Sequence, residues 1–345
     1  MRAIRSYERL DLDLRPGLVL IVGPNGVGKT NLLEAVHVGS QGFSPRTRSD
    51  AEVIRLGAEA GRIALRGERA GSPVELDVTL QLRAGKKAKV NGAPLRAAEQ
   101  LRGEVAALVF TPDRLSIVKG SPVVRRAYFD RVLARLFPAR ATLPVEYAAA
   151  VGQRNAALRR VAASLSSRDA LAPWTQRVSQ LGASLVAART DALERLAPAF
   201  AGHAAALGLE AGSLAYQGEP PTAEELEARL QRDLERGATG LGPHLHDIAI
   251  LSDGRDLRRF GSQGEQRVSV LALLLGEAEL LSERSVPPLL LLDDVLSELD
   301  ETRRRTLAER IRRVGQSLIT ATSADALPTA PDQLIEVTPG MARAA

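Results

Sequence analysis

The sequence predicts an α/β fold in which both ends of the 345-residue chain contribute to one head and the middle forms an inserted helical lobe. Three observations carry that prediction. A short apolar run, Leu18 to Val22, enters a glycine-rich loop, and Asn31-Leu32-Leu33-Glu34-Ala35-Val36 leaves it with helical spacing. Far downstream, Leu289-Leu290-Leu291-Leu292 runs into Asp293-Asp294, as a buried strand does at its end. Between these pieces, from about Pro122 to Leu207, the chain is Ala-rich with apolar positions three and four apart. The two ends serve a single site only if everything between them is an excursion from one head.

The elements follow in order. After the first helix comes a basic loop at Ser44 to Arg48. Arg62 to Arg66 and Val74 to Leu82 alternate as strands of an antiparallel sheet do. Gly85-Lys86-Lys87-Ala88-Lys89-Val90-Asn91-Gly92 reads as a turn, a short strand and an Asn-Gly turn. Val105 to Phe110 is a further buried strand, ended by Thr111-Pro112-Asp113. The helical stretch breaks at Glu219-Pro220-Pro221-Thr222, one more charged helix spans Ala223 to Arg236, and Ile248 to Leu251 returns to strand. The expected division is a head segment over 1–119, a helical lobe over 120–239 and a C-terminal head segment over 240–345, with no internal repeat.

Composition sets the class. At 45% hydrophobic residues the chain can bury a sizeable core, and its length suits two or three domain-sized units. Its first twenty residues carry charge throughout, and no later apolar run approaches a membrane span, so no membrane partner is expected. The absence of cysteine excludes disulfides and thiolate metal sites and fits a cytoplasmic protein. A net charge of +5 is compatible with nucleic acid without demanding it. With aromatic residues at only 3%, a base-stacking platform is disfavoured, and any nucleic-acid contact falls on duplex phosphates.

The chemistry lies in three motifs. Gly23-Pro24-Asn25-Gly26-Val27-Gly28-Lys29-Thr30 has the spacing of a phosphate-binding loop. In such a loop backbone amides surround the phosphates of ATP, Lys29 reaches the β- and γ-phosphates, and the Thr30 hydroxyl serves Mg²⁺. Asn31 opens the helix behind it. Asp293 is then placed to hold Mg²⁺ through water and Asp294 to orient the attacking water, two roles that adjacent acids on opposite sides of a strand would suit. Ser262-Gln263-Gly264-Glu265-Gln266-Arg267 opens an apolar helix over Val268 to Leu281. That puts a hydroxyl and free amides at the positive end of a helix dipole, where Ser262 is either a phosphate ligand or an ordinary N-cap.

Basic clusters have two readings each. Lys86, Lys87 and Lys89 either touch a phosphate backbone or decorate a solvated hairpin tip. Arg125-Arg126, Arg159-Arg160 and Arg303 to Arg305 are either charged helix faces or DNA contacts. The histidines, His37, His203, His244 and His246, read as structural or surface groups.

The order of the motifs resembles that of ABC-type ATPases. In that superfamily the segment before the two-acid strand is the signature, which completes the γ-phosphate site of a second subunit, so nucleotide glues a dimer. By that resemblance Ser262 and Gly264 would act across the dimer, and Ser297-Glu298-Leu299-Asp300 would be the D-loop at its seam. Transporters place a switch histidine just after a strand like Leu318 to Thr322, and this chain has none there. A transporter subunit has a much shorter stretch between loop and signature. Coiled-coil structural and break-repair ATPases interpose a very long coiled coil, for which this chain lacks both room and heptads.

A head of this size with a short helical arm resembles the RecF family. The likeness also includes Ser44-Pro45-Arg46-Thr47, Lys89-Val90-Asn91-Gly92, Val118-Lys119-Gly120-Ser121-Pro122, Gln153-Arg154-Asn155, Gly242-Pro243-His244 and Asp293 through Asp300, in that family's order. The resemblance implies an α/β ABC-type P-loop ATPase head, with ATP and Mg²⁺ as cofactors. It implies a slow DNA-dependent ATPase that acts as an ATP-switched clamp of DNA replication, repair and the SOS response. The expected partners are double-stranded DNA, single-strand/double-strand junctions, RecO, RecR and a second copy bound in the ATP state. Two departures stand out: the N-terminus is shorter than the family's usual first strand, and Leu245-His246-Asp247 stands where the family commonly has an Arg and acids after Gly-Pro-His.

Overall fold

The computed structural model describes residues 1–284 and 286–345. They fall into two compact units, one of Met1–Arg114 with Leu274–Ala345 and one of Leu115–Leu273.

Two six-stranded sheets build the first unit. Continuous apolar runs suit parallel strands covered on both faces, and the central sheet is made of them: β3 (Leu18–Val22), β8 (Ala107–Phe110), β12 (Leu289–Leu292) and β13 (Ser317–Ala321). With β14 (Gln333–Thr338) and the antiparallel edge strand β15 (Met341–Ala344), the order is β15-β14-β3-β13-β12-β8. Thus β13 lies between the strand entering the glycine loop and the strand ending in two acids. Leu292 stands opposite Ile319, and Ile319 opposite Leu20, so the three strands deliver their C-terminal loops to one edge of the sheet. That edge is where open parallel sheets bind ligands.

The second sheet is antiparallel, in the order β2-β1-β4-β5-β6-β7. Its strands are β1 (Arg2–Ile4), β2 (Tyr7–Arg9), β4 (Ala60–Arg69), β5 (Ser72–Gln81), β6 (Gly85–Val90) and β7 (Ala93–Pro94). Alternation turns Ile63, Leu76, Val78, Leu80 and Ala88 into a core and leaves the other face to polar side chains. The Asn91-Gly92 turn forms as its sequence dictates, with φ of +48° and +82°.

The helix Lys29–Gln41 is held between the sheets. Leu32, Leu33 and Val36 pack with Val19, Ile21, Leu291 and Leu318, while Ala35 and Val38 pack with Ile63, Val78 and Leu80. Ten of its thirteen residues are buried, which anchors the loop that precedes it. Gly39 is needed for the close approach, since a Cβ there would lie 2.7 Å from Ile63 Cγ2.

The second unit is built on helices Pro122–Leu136, Leu143–Ala162 and Ala172–Ala206, with a small sheet ordered β11-β10-β9. Its strands are β9 (Gly212–Gln217), β10 (Asp247–Ser252) and β11 (Arg255–Asp256). Leu133, Tyr147, Val151, Val178, Leu181, Leu185 and Leu226 form the helical core. The expected single helix over Ala223 to Arg236 is two, Ala223–Ala228 and Leu230–Arg236. Thr222 and Glu225 close a capping box on the first, and the second carries buried Asp233 to Arg154.

Buried arginines pin this unit together. Arg154, fully buried, donates to Asp233 at 2.8 Å, to Thr239 Oγ1 at 2.9 Å and to Thr175 Oγ1 at 3.2 Å. Arg125 forms a two-pronged pair with Asp247 at 2.7 and 2.6 Å and also donates to the carbonyls of Val118 and Gly120. Arg125 is therefore neither a solvated helix face nor a DNA contact. Arg189 pairs with Asp130 and donates to the Pro243 carbonyl.

His244 is structural too. Its Nε2–H donates to the Thr239 carbonyl at 3.0 Å, which leaves Nδ1 to accept from the Tyr147 hydroxyl at 2.8 Å. Burial holds His244 and His246 below the ordinary imidazole range. The departure at position 245 puts a half-exposed leucine beside this network.

Candidate functional site

The glycine loop joins β3 to the helix Lys29–Gln41, and its backbone explains its residues. Gly28 has φ +115°, and a Cβ there would lie 2.7 Å from Ser6 Oγ and 3.1 Å from the Tyr7 hydroxyl. Pro24, Asn25 and Gly26 are exposed, while Gly23 and Val27 are partly so. Loop amides and the start of a thirteen-residue helix thus face solvent together, an arrangement that suits phosphate.

Lys29 Nζ donates to the carbonyls of Gly23 at 2.6 Å and Pro24 at 2.9 Å, so its ammonium lies along the loop. Burial lowers its pKa, against the opposing pull of Asp294 and then Asp293. The Thr30 hydroxyl donates to Asp293 at 2.9–3.0 Å, joining the loop to the end of β12 across 263 residues of sequence. Asp293 is buried and Asp294 exposed.

The separation of the two acids has a different origin from strand alternation. β12 ends at Leu292, and Asp294 lies in the left-handed region with φ +50°. Its amide donates to Thr320 Oγ1 at 2.9 Å, and Thr320 in turn donates to Asp293 Oδ1 at 2.8 Å. A non-glycine residue in that conformation carries strain that its surroundings must offset. One threonine on β13 therefore sets both acids.

Thr30 and Asp293 together offer hydroxyl and carboxylate oxygens, the donor type that Mg²⁺ takes alongside phosphate oxygens and water. Among the described residues no group of three or more histidines and acids forms a metal cluster.

Three further features were not assigned roles by sequence reading. Tyr7, fully buried, donates its hydroxyl to the Gly28 carbonyl at 3.1 Å, and burial pushes its pKa up to about 12. Ser6 Oγ accepts from Asn31 Nδ2 at 3.1 Å, so the β1–β2 turn braces the loop from behind. Glu34 is the third. Its buried carboxylate accepts from Arg5 at 2.7 and 2.8 Å, Ser44 at 2.5 Å and Arg46 at 3.1 Å, and Arg46 also donates to Asn31 Oδ1. Burial pushes Glu34 up, but the hydrogen bonds from Arg5 and Ser44 and the two guanidinium charges outweigh it and hold it below the usual range. The Ser44 to Thr47 segment was legible as a motif; that Glu34 is its anchor was not.

Ser262 and Gly264 belong to the second unit, where they begin the helix Gln263–Arg284. Ser262 is exposed and forms a reciprocal capping box: Glu265 N–H donates to its hydroxyl at 3.2 Å, and its own N–H donates to the Glu265 carboxylate at 2.7 Å. The N-cap reading is therefore satisfied, and the hydroxyl hydrogen is left to donate. In the segment after the acids, Ser297 and Glu298 are exposed and Asp300 caps the helix Glu301–Arg312 through Arg303 N–H at 2.8 Å.

The chain matches the family model of the RecF/RecN/SMC N-terminal domain over residues 1–343. It is 36% identical to the DNA replication and repair protein RecF of Symbiobacterium thermophilum, covering 94% of this chain and 90% of that one. With the same-named protein of Acidothermus cellulolyticus the identity is 38%, over 92% and 91%. Among solved structures, the recombination mediator protein RecF with ATP, of the RecFOR pathway, superposes with a TM-score of 0.86 at 27% identity, covering 99% of this chain and 95% of that one. An Smc head bound to the C-terminal winged-helix domain of ScpA shares the fold, with a TM-score of 0.61 at 15% identity over 100% and 94%. The architecture is that of an α/β ABC-type P-loop ATPase head, and the chain belongs to the RecF family of DNA replication and repair proteins.

Proposed function

We propose that this chain is an ATP-switched DNA-binding protein of recombinational repair and replication restart. The observation that carries the reading is the junction of Thr30, Asp293 and Thr320, which ties the phosphate loop to the acid pair. In this reading the amides of residues 23–31 and the Lys29 ammonium bind the phosphates of ATP, and Thr30 with Asp293 holds Mg²⁺. Asp294, set apart by its own backbone, orients the attacking water. Bound Mg²⁺ would supply charge neutralisation at the β- and γ-phosphates.

Ser262 and Gly264 serve the nucleotide of a second copy. The exposure of Ser262, the partial exposure of Gly264, the hydroxyl hydrogen and the amides of a long helix support that assignment. ATP then closes two chains on duplex DNA, slow hydrolysis opens them, and the action supports recombinase loading at gaps and junctions. RecO and RecR are the proposed partners, since the solved relative belongs to the RecFOR pathway.

The test is retention of duplex DNA with ATP, with ADP and without nucleotide over a salt series. Retention that appears only with ATP and falls steeply with salt supports the switch. Equal retention in all three states rules it out.

A further inference from the structure

Resting on the DNA-binding reading, we propose that the open face of the antiparallel sheet is the surface that takes the phosphate backbone of the duplex. The strand register makes the case. Arg9 stands opposite Arg2, Arg2 opposite Arg62, Arg62 opposite Thr79 and Thr79 opposite Lys87. Residues paired in this way project from the same face. Five strands thus set four cations and a hydroxyl in one row. At about 4.8 Å per strand the row spans about 19 Å, a length over which duplex DNA carries about eleven charges. The next row places Lys89 opposite Asp77.

The face is open. Arg2, Arg9, Arg62, Lys87 and Lys89 are exposed, whereas Ile63, Val78 and Ala88, next in their strands to Arg62, Thr79 and Lys87, are buried in the core. β6 sorts its three lysines by this alternation. Lys86 points to the other side and pairs with Asp50 at 3.4 Å and Glu99 at 3.6 Å. Lys87 and Lys89, two residues apart, share the open face. A single basic turn in the sequence is therefore two surfaces in the fold.

The acids on this face do not balance it. Asp11 pairs with Arg9, Asp77 with Arg62 and Glu75 with Arg66. Arg2, Lys87 and Lys89 make no salt bridge among the described residues. Arg2 also stands between two other guanidinium groups, and like charges directly opposite one another across strands are destabilising. An anionic ligand laid along the row reverses the sign of that contribution. The chemistry of the row selects nucleic acid over an acidic protein. It offers guanidinium, ammonium and hydroxyl groups, the usual phosphate contacts, and lacks the aromatic or aliphatic anchor of a protein interface.

The experiment measures duplex binding with ATP, by anisotropy across a salt series, for the unmodified chain, Lys87→Ala/Lys89→Ala, that pair with Arg2→Ala added, and Lys86→Ala. Each lost phosphate contact should reduce the slope of log K against log salt by about 0.9, so the double variant loses about 2 and the triple variant about 3. The Lys86→Ala variant, altered on the opposite side of the same strand, should follow the unmodified chain. ATP hydrolysis without DNA should be equal in all four, which shows that the head is folded. Unchanged slope and affinity in the double and triple variants overturn this surface. Failure of the unmodified chain to bind duplex in any nucleotide state overturns the DNA-binding reading instead.

Discussion

At the residue scale, Thr320 is the least expected member of the site. Its hydroxyl accepts from the Asp294 amide and donates to Asp293 Oδ1, so Thr320→Val removes one of the donors to a buried carboxylate and takes the hydroxyl acceptor from the amide of a residue in the left-handed region. The expected cost is about 1–3 kcal/mol of stability, together with reduced ATP turnover. Denaturant unfolding and a steady-state phosphate assay check the two effects, and normal turnover would remove Thr320 from the account. Lys29→Ala tests the loop more bluntly: equilibrium titration should show ATP binding abolished, and unchanged affinity would refute the phosphate assignment.

Glu34 acts one step further away, by holding Arg5 of the β1–β2 turn and Arg46 of the following loop against the phosphate-loop helix. Glu34→Gln should weaken ATP binding while Glu34→Asp partly restores it, a contrast that a general loss of stability would not produce.

Residues of this kind show what the sequence can convey. The phosphate loop and the two acids are contiguous and chemically unusual, so they are legible. Thr320 and Glu34 are ordinary residues in ordinary runs, and only the strand order that sets β13 between β3 and β12 gives Thr320 its role.

At the scale of elements, the continuous apolar strands and the alternating ones were both readable, because burial on two faces or one leaves different patterns. The interruption at Arg229 was not, since that residue keeps right-handed helical angles, φ −92° and ψ −3°, and no glycine or proline marks the break in the sequence. Arg125 and Arg154, two of the basic positions on its helices, turn out to be internal pins of the helical unit. Arg154→Ala should cost about 3–5 kcal/mol, because it strands a buried Asp233. Urea unfolding of the full chain measures this, and a loss below about 1 kcal/mol would contradict the pinning role.

The same unit should respond to pH. His244 and His246 have folded pKa values depressed below 6.5, chiefly by burial. Their contribution is fully present above about pH 6.5 and is lost as pH falls through the depressed values, since only the unfolded chain takes up the protons readily. Melting temperature should drop between about pH 7 and about pH 5, and His244→Gln should flatten the drop. The depressed carboxylates Glu34 and Asp247 add a second loss at lower pH, as protonation reaches values below their ordinary 4.5 and 3.8.

At the scale of the whole molecule, the long separation between phosphate loop and acids is resolved by topology: both chain ends belong to one unit, and the intervening Leu115–Leu273 forms another. The capping box at Ser262 shows why sequence alone left that residue between two readings, because a good N-cap and a phosphate ligand need the same side chain at the same place. The proposed dimer decides between them. Ser262→Arg should bind ATP as a single chain yet fail to pair. Asp294→Asn, unable to orient water, should accumulate the pair. Sedimentation of the Asp294→Asn chain with ATP and duplex DNA is the most direct measurement of the central claim. The account predicts a protein mass twice the 36.8 kDa of one chain, absent without ATP and absent when Ser262→Arg is added. A single-chain mass with saturating ATP and DNA would contradict it.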